Sequence, residues 1–216
     1  MREAGVLLGT ARIQQLVLAS AVYPLAMKPV RGYDLPPGQL LDRLVAVGVG
    51  AEELGRALGL KPPHYTFTAG LLHGIGKIVL GTFIEIDAGP ILKLAFEEQV
   101  PFDTAERRIL GIDHAETGAA LLEHWNLPDE IVQVVRWYNR PEHFTGDTLV
   151  VDLVHYANIL SIECGLGAGI DGLHYLPSPG VVERLHPKTV VAEQVTCRML
   201  SELQSFHEMN PSPGGR

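Results

Sequence analysis

Apolar residues recur at intervals of three and four along most of the chain, and this spacing limits the folds that the sequence can adopt. Residues three and four positions apart lie on one face of an α-helix, whereas a half-buried strand alternates every second residue. Two clear examples are Ile13, Leu16 and Val17, and the run Leu40, Leu41, Leu44 and Val45. The pattern predicts an all-α fold with helices near 10–26, 38–59, 64–82, 88–99, 103–110, 113–125, 128–138, 146–164 and 187–207.

Local signals predict where some of these helices begin. The sequences Asp103-Thr104-Ala105-Glu106 and Asp113-His114-Ala115-Glu116 both have the spacing of a capping box, in which an N-cap carboxylate accepts from a backbone amide three residues on. The Gly- and Pro-rich segment 165–187 predicts an irregular crossing before the last helix. We expect one domain over residues 1–207 and a flexible C-terminal tail over 208–216.

Composition excludes several classes of function. Lys and Arg number 17 against 25 Asp and Glu, a formal net charge of −8, and the absence of a basic run predicts no nucleic-acid binding. Residues 13–27 and 62–76 are the longest uncharged stretches, and both are shorter than the roughly 20 apolar residues of a membrane helix. The two thiols, Cys164 and Cys197, predict no disulfide framework. We expect a cytoplasmic protein, with no membrane partner, whose cysteines pack in the core.

The most informative motif is Ala69-Gly70-Leu71-Leu72-His73-Gly74-Ile75-Gly76-Lys77, which places a single imidazole on an apolar helix. A core histidine most often donates to a backbone carbonyl. The alternative is a metal or phosphate site, because a buried imidazole flanked by small residues lets a ligand approach the backbone.

Three segments together resemble the HDOD family, the output-domain branch of the HD superfamily; they are 51–77, 105–118 and 122–131. The resemblance extends from about residue 5 to about residue 165. It implies an HD-like helical bundle and a role in bacterial signalling. The family domain usually begins earlier, so we expect this chain to lack an N-terminal helical part and to hide the uncovered apolar face by self-association.

The HD superfamily implies a metal site built from a His, a His-Asp doublet and a later Asp, and its active members hydrolyse phosphate esters. Matched to that pattern, the four positions here are Arg43, His73, Gly74 and Asn158. A guanidinium has no lone pair to give a metal, glycine has no side chain, and an amide is a weaker ligand than a carboxylate. The resemblance therefore implies a vestigial site with no divalent metal, no cofactor and no catalytic residue.

These observations predict a non-enzymatic regulatory module that contacts a protein partner and forms a homo-oligomer. An enzymatic alternative stays open, namely a divergent metal-dependent phosphohydrolase that recruits ligands such as Asp152, His114 or Asp113.

A third hypothesis is that the vestigial metal site binds an anion. Arg43, His73 and Lys77 together offer two fixed positive charges and one switchable charge, a combination suited to an anion such as a nucleotide phosphate. The competing interpretation is that Arg43 and Lys77 extend to solvent or pair with acidic neighbours, of which the candidates are Glu52, Glu53 and Asp42.

Overall fold

The computed structural model describes residues 22–85, 87–167, 169–172 and 174–209. Within these ranges the fold is all-α, as predicted, and no strand is present. Residues 22–26 are helical, and short 3-10 turns occur at Arg31–Tyr33 and Pro141–His143. The α-helices that follow are α1 (Gln39–Ala57), α2 (Thr66–Leu72), α3 (Gly76–Ile84), α4 (Gly89–Glu98), α5 (Phe102–Leu110), α6 (His114–His124), α7 (Asp129–Trp137), α8 (Leu149–Glu163), α9 (Pro179–Leu185) and α10 (Thr189–Met209).

Helix α1 lies at the centre of the core and packs against α2, α8 and α10. It approaches α2 closely because two glycines face each other: a Cβ added to Gly70 would lie 2.7 Å from the Cα of Gly48. Gly76 and Gly118 likewise allow α3 and α6 to approach each other closely, since a Cβ on Gly76 would overlap the backbone of α6. These contacts bring the backbones of α1, α2, α3 and α6 together around the motif that contains His73.

The predicted helix 64–82 is in fact two helices, since the chain turns between Leu72 and Gly76. At the break, the amides bond to carbonyls three residues back instead of four, as in Ile75 N to Leu72 O at 3.0 Å and Lys77 N to Gly74 O at 3.1 Å. Apolar periodicity continues through such a tight turn, which is why the sequence pattern did not reveal it. The break places His73 at the C-terminal end of α2 and Lys77 at the start of α3.

The stretch Thr66–Ile84, which includes this break, is long and apolar enough to cross a membrane by composition alone, with a mean hydropathy of 1.5. However, 72% of its apolar window is buried inside the protein. Burial of this extent is typical of core helices in a soluble helical domain.

One of the two predicted helix starts is correct. Asp113 is the N-cap of α6, and its carboxylate accepts from the amide of Glu116 at 2.8 Å. The predicted helix 103–110 is present as α5, one residue longer at its start, but the capping box at Asp103 is wrong, because Pro101 is the N-cap and the side chains of Asp103 and Glu106 are buried within the fold.

Other predictions also differ from the structure. The segment 165–187 contains a short helix, α9, with proline at its first position. Cys164 and Cys197 are exposed, so the prediction that they pack in the core is wrong. The predicted C-terminal tail begins too early, since α10 continues to Met209; residues 210–216, and residues 10–21 of the first predicted helix, lie outside the described residues.

Candidate functional site

Four polar side chains from distant parts of the chain converge in the core. Arg43 comes from α1, Lys77 from α3, Asn158 from α8 and Asp171 from the glycine-rich segment after α8. Each exposes at most 2% of its surface. Two of them, Arg43 and Asn158, are positions that the resemblance matches to metal ligands.

The guanidinium of Arg43 joins three of these elements. Its Nε and Nη2 donate to Oδ1 of Asn158 at 3.2 and 3.0 Å. Its Nη1 donates to the carbonyl of Gly167 at 3.2 Å and to Oδ2 of Asp171 at 3.3 Å. A planar fork of donors suits this geometry, whereas the compact ammonium of a lysine could not reach all three acceptors.

Lys77 donates to the same carboxylate oxygen, Oδ2 of Asp171, and forms a fully buried ion pair with it. Its Nζ also lies 5.5 Å from the centre of the Tyr33 ring, where the π face favours a cation. The expected alternatives, exposure to solvent or pairing with nearby acidic residues, are therefore wrong. Those acidic residues have other partners: Glu52 and Glu53 pair with Arg56, and Asp42 pairs with His207.

Electrostatics keep the carboxylate of Asp171 ionised despite its burial. Burial alone would raise the pKa of Asp171, but Lys77 and Arg43 outweigh it and hold that pKa well below its ordinary value. Burial, together with the charge of Arg43, lowers the pKa of Lys77, while Asp171 opposes this effect. The carboxylate is thus the group that makes two buried cations tolerable.

His73 is a buried core histidine that donates to a backbone carbonyl, which is the first of the two interpretations given above. Its Nδ1 bonds to the carbonyl of Gly70 at 2.6 Å, so this nitrogen carries the proton, and its ring stands edge-on to Tyr138 at 5.0 Å. Burial, and then the charge of Arg43, lower the pKa of His73 well below its ordinary value and keep the imidazole neutral. Its buried Nε2 has no hydrogen-bond partner among the described residues.

A second buried network lies beside the first and centres on Glu106. Its Oε1 accepts from the hydroxyl of Tyr33 at 2.5 Å, and its Oε2 accepts from the amide and Nδ1 of His114 at 2.9 and 2.7 Å. The other ring nitrogen of His114 bonds to the hydroxyl of Tyr138 at 2.9 Å. Burial alone would lower the pKa of His114, but the charge of Glu106 outweighs it and raises that pKa above its ordinary value.

The residues of the cluster do not fit a divalent metal. The Oδ1 of Asn158 already accepts twice from Arg43, and Arg43 and Lys77 bring two positive charges. At the third matched position, a Cβ on Gly74 would face the apolar side chains of Leu44 and Leu40 at 3.1 and 3.7 Å, so a carboxylate there would point into apolar surroundings. No group of three or more potential metal-binding side chains exists in the described ranges.

Sequence reasoning missed Asp171, the residue that completes the cluster. The segment Gly167-Ala168-Gly169-Ile170-Asp171-Gly172 has a G-x-G-x-x-G pattern, but it follows a helical run instead of a strand, which is the wrong context for a dinucleotide site. Nothing in local periodicity connects Asp171 to Arg43, which lies 128 positions earlier in the chain. The one available signal was a lone carboxylate among residues that permit close backbone approach.

Comparison with known proteins gives consistent results. The family described as HDOD domain matches residues 1–141 of this chain. A curated relative, an uncharacterised protein of Treponema pallidum, is 27% identical over 95 residues, a match that covers 44% of this chain and 18% of that protein. The match to this chain therefore covers less than a fifth of the length of that relative.

Three crystal structures share the fold. An HDOD domain protein of unknown function from Geobacter sulfurreducens has a TM-score of 0.66 and 22% identity, covering 96% of this chain and 70% of its own. A protein from Marinobacter aquaeolei, provisionally named a signal transduction protein, has a TM-score of 0.66 and 21% identity. The match covers 94% of this chain and 45% of the Marinobacter chain. A third protein, from Shewanella amazonensis and provisionally named a phosphohydrolase, has a TM-score of 0.59 and 23% identity. The match covers 92% of this chain and 76% of the Shewanella chain.

Proposed function

Because the chain belongs to the HDOD family, we propose that it is a non-enzymatic regulatory module of signal transduction. It acts by contact with a protein partner and by conformational change instead of turnover. The observation that carries this proposal is the buried ion cluster of Arg43, Lys77 and Asp171 at the place where the resemblance puts a metal site.

The charges of the cluster support the absence of metal-dependent chemistry. A divalent cation would meet two fixed positive charges in surroundings of low dielectric, where repulsion is several times stronger than in water. Displacing Arg43 and Lys77 would also leave them buried without their counter-ion, Asp171. Hydrolysis by the mechanism of the superfamily requires a metal to polarise the phosphate and activate a water molecule, so we propose that this reaction is lost.

The alternative of a divergent phosphohydrolase agrees with the name of the Shewanella protein but has little support from the candidate ligands. Asp152 accepts twice from Arg184, at 2.6 and 2.7 Å. Asp113 accepts from Arg107 and Arg140, at 2.7 and 3.0 Å for the closest contacts. Both ring nitrogens of the third candidate, His114, are bonded, as described above. Each candidate ligand would have to give up a hydrogen-bonded partner in order to bind a metal.

The proposal is tested by measuring the metal content of the untagged protein. The protein is exposed to manganese, iron, nickel and zinc, dialysed, and analysed by plasma mass spectrometry together with phosphatase and phosphodiesterase assays. An HD-domain enzyme with an intact His, His-Asp and Asp set serves as the positive control. We expect well below one metal per chain and no hydrolysis; a full equivalent of metal with hydrolytic activity would overturn the proposal.

Self-association and a cytoplasmic location are part of the same proposal. Phe83 on α3 and Phe96 on α4 expose 66% and 68% of their surfaces, and such apolar exposure favours a protein interface. The exposed free thiols of Cys164 and Cys197 suit a reducing compartment. We expect a dimer or larger assembly by light scattering; a monodisperse monomer at working concentration would contradict the expectation of self-association.

A further inference from the structure

A groove of about 250 Å³ lies between α1 and α10, on the surface of the protein and away from the ion cluster. Five of its described lining residues are apolar: Val45 and Val49 from α1, Phe67 from α2, and Phe206 and Met209 from α10. The other five are charged, and they are Glu52, Glu53, Arg56, Arg198 and Glu202. Met209 exposes 73% of its surface, so part of this apolar lining is uncovered. Apolar walls edged by charges are typical of a groove that receives an amphipathic helix.

A second groove, of about 260 Å³, continues the first at the end where α1 begins. Phe206 lines both grooves, and its ring lies 6.4 Å from the ring of Tyr23, which belongs to the helical residues 22–26. Tyr23 lines the second groove together with Asp42 of α1. Pro24 favours a kink here, because it has no N–H to donate to the carbonyl four residues earlier. The residues that precede 22 therefore leave from one end of this surface and are free to turn along α1.

The sequence of residues 10–21 matches the groove in polarity and in charge. Ile13, Leu16 and Val17 have the spacing of one helix face, and Arg12 is the only charged residue of the segment. The described lining of the groove between α1 and α10 carries three carboxylates and two guanidiniums, a net charge of −1. A segment with an apolar face and a single positive charge therefore complements this groove.

The length of this segment also matches the length of the groove. The first residues of α1 lie beside Tyr23 and the helix leads away from them, so a segment that follows α1 and ends at Tyr23 is antiparallel to α1. Arg12 precedes Tyr23 by 11 residues, and Glu53 follows Asp42 by 11 residues. Both distances are about 16 Å in a helix, which rises about 1.5 Å per residue. An antiparallel helix would therefore bring Arg12 to the carboxylates of the groove.

We propose that residues 10–21 dock as an amphipathic helix in the groove between α1 and α10 of the same chain. In this register Leu16 packs on Val49, and the guanidinium of Arg12 lies beside the carboxylate of Glu53. The docked segment is an autoinhibitory contact, because it covers a surface that would otherwise receive a helix of a protein partner. This inference rests on the proposed regulatory function, and it names the surface through which the module contacts its partner.

The first test measures how fast trypsin cleaves the native protein after Arg12, with the fragments identified by mass spectrometry. A docked helix protects this bond, since cleavage needs the undocked segment. Leu16→Asp places a charge against the apolar wall at Val49, so we expect cleavage to become about tenfold faster or more. Leu18→Asp is the matched control, because position 18 lies on the opposite helix face from position 16, and its rate should stay within about twofold of the wild type. Equal effects of the two substitutions would overturn the inference.

The second test identifies the occupant of the groove. Leu16→Cys and Val49→Cys are combined in a chain whose exposed native thiols, Cys164 and Cys197, are replaced by serine. In dilute solution with an oxidant, we expect a disulfide within one chain. We expect none when Leu200→Cys replaces Val49→Cys, because Leu200 is 45% exposed on α10 and does not line the groove. The absence of a disulfide at Val49→Cys would overturn the inference, and so would a disulfide formed only between two chains, which would assign the groove to a second copy.

The two proposals fail separately. Equal trypsin rates or a missing disulfide would overturn the docking of residues 10–21 and would leave the metal content and the hydrolysis results unchanged. A full equivalent of metal with hydrolytic activity would instead overturn the non-enzymatic function, whatever the trypsin and disulfide measurements show about the groove.

Discussion

Replacing Asp171 by asparagine keeps the shape of the side chain but removes the one negative charge that Arg43 and Lys77 share. Removing one member of a buried ion pair costs about 3–5 kcal/mol, because the partner stays buried without compensation. Here two cations are left, so we expect Asp171→Asn to lose at least that much. The free energy of unfolding of a globular domain is about 5–15 kcal/mol, so this variant should be only marginally stable.

Lys77→Met provides the contrasting change. It removes one of the two cations and leaves Arg43 and Asp171 as a balanced pair, while the unbranched apolar side chain fills most of the lysine volume. The lost ion pair is offset by the lysine no longer being desolvated, so we expect a cost below about 2 kcal/mol. The double variant should cost less than the sum of the two single variants, because the second cation is then absent.

The measurement is urea unfolding followed by the helical circular dichroism signal at pH 7. Arg198→Ala is the matched control, since its pair with Glu202 lies on the surface with side chains 52% and 39% exposed, and its loss should cost less than about 1 kcal/mol.

The pH dependence has a definite sign. The depressed pKa of Asp171 stabilises the fold above its unfolded pKa of about 4, and this stabilisation is lost as the pH falls through the folded value. The difference between wild type and Asp171→Asn should therefore be constant from about pH 5 to 8 and shrink below about pH 4. The reasoning is refuted if Asp171→Asn stays within about 1 kcal/mol of the wild type, or if Lys77→Met costs more than Asp171→Asn.

Three other outcomes are expected. Burial raises the pKa of Asp103 from 3.8 to about 6, so ionising this carboxyl destabilises the folded protein. In urea unfolding, Asp103→Asn should be as stable as the wild type below about pH 4 and more stable by about 3 kcal/mol above about pH 7. A stability difference that does not change with pH would contradict this. Gly76→Ala forces a Cβ into the backbone of α6 at His114 and should cost about 1–3 kcal/mol by thermal unfolding. Cys164 and Cys197 should both react with a thiol reagent in the native protein, and protection of either would argue against their exposure.

Local patterns predicted the helices of the described residues well but not their interruptions. The break at Gly74 leaves the apolar periodicity intact, and α9 is too short to show a period, so neither could be read from spacing. The resemblance matched Arg43 and Asn158 to one site, and the structure places them in contact, at 3.0 Å for the closest atoms.

The hydrogen-bond and ion-pair partners of the buried side chains could not be predicted from the sequence. Glu106 was assigned to a capping box because its spacing from Asp103 fits one, yet tertiary packing directs it to Tyr33 and His114 instead. The role of Asp171 was not predicted because the path of a connecting segment brings it to its partners. No periodic pattern in the sequence encodes that path. A buried charge is assigned with confidence to a partner only when the three-dimensional path of the chain is known.

The long separation between Arg43 and Asp171 also bears on how the protein folds as it is made. Arg43 is synthesised 128 residues before its counter-ion. At translation rates of about 5–20 residues per second, this corresponds to roughly 6–25 s during which Arg43 has been synthesised and Asp171 has not. Lys77 precedes Asp171 by 94 residues and also has to wait for it. The core around α1 and α3 would then be completed late, after the segment beyond α8 has emerged from the ribosome. Contacts between residues far apart in the chain slow folding, so we expect formation of this ion cluster to be a slow step in a helical architecture that usually folds fast.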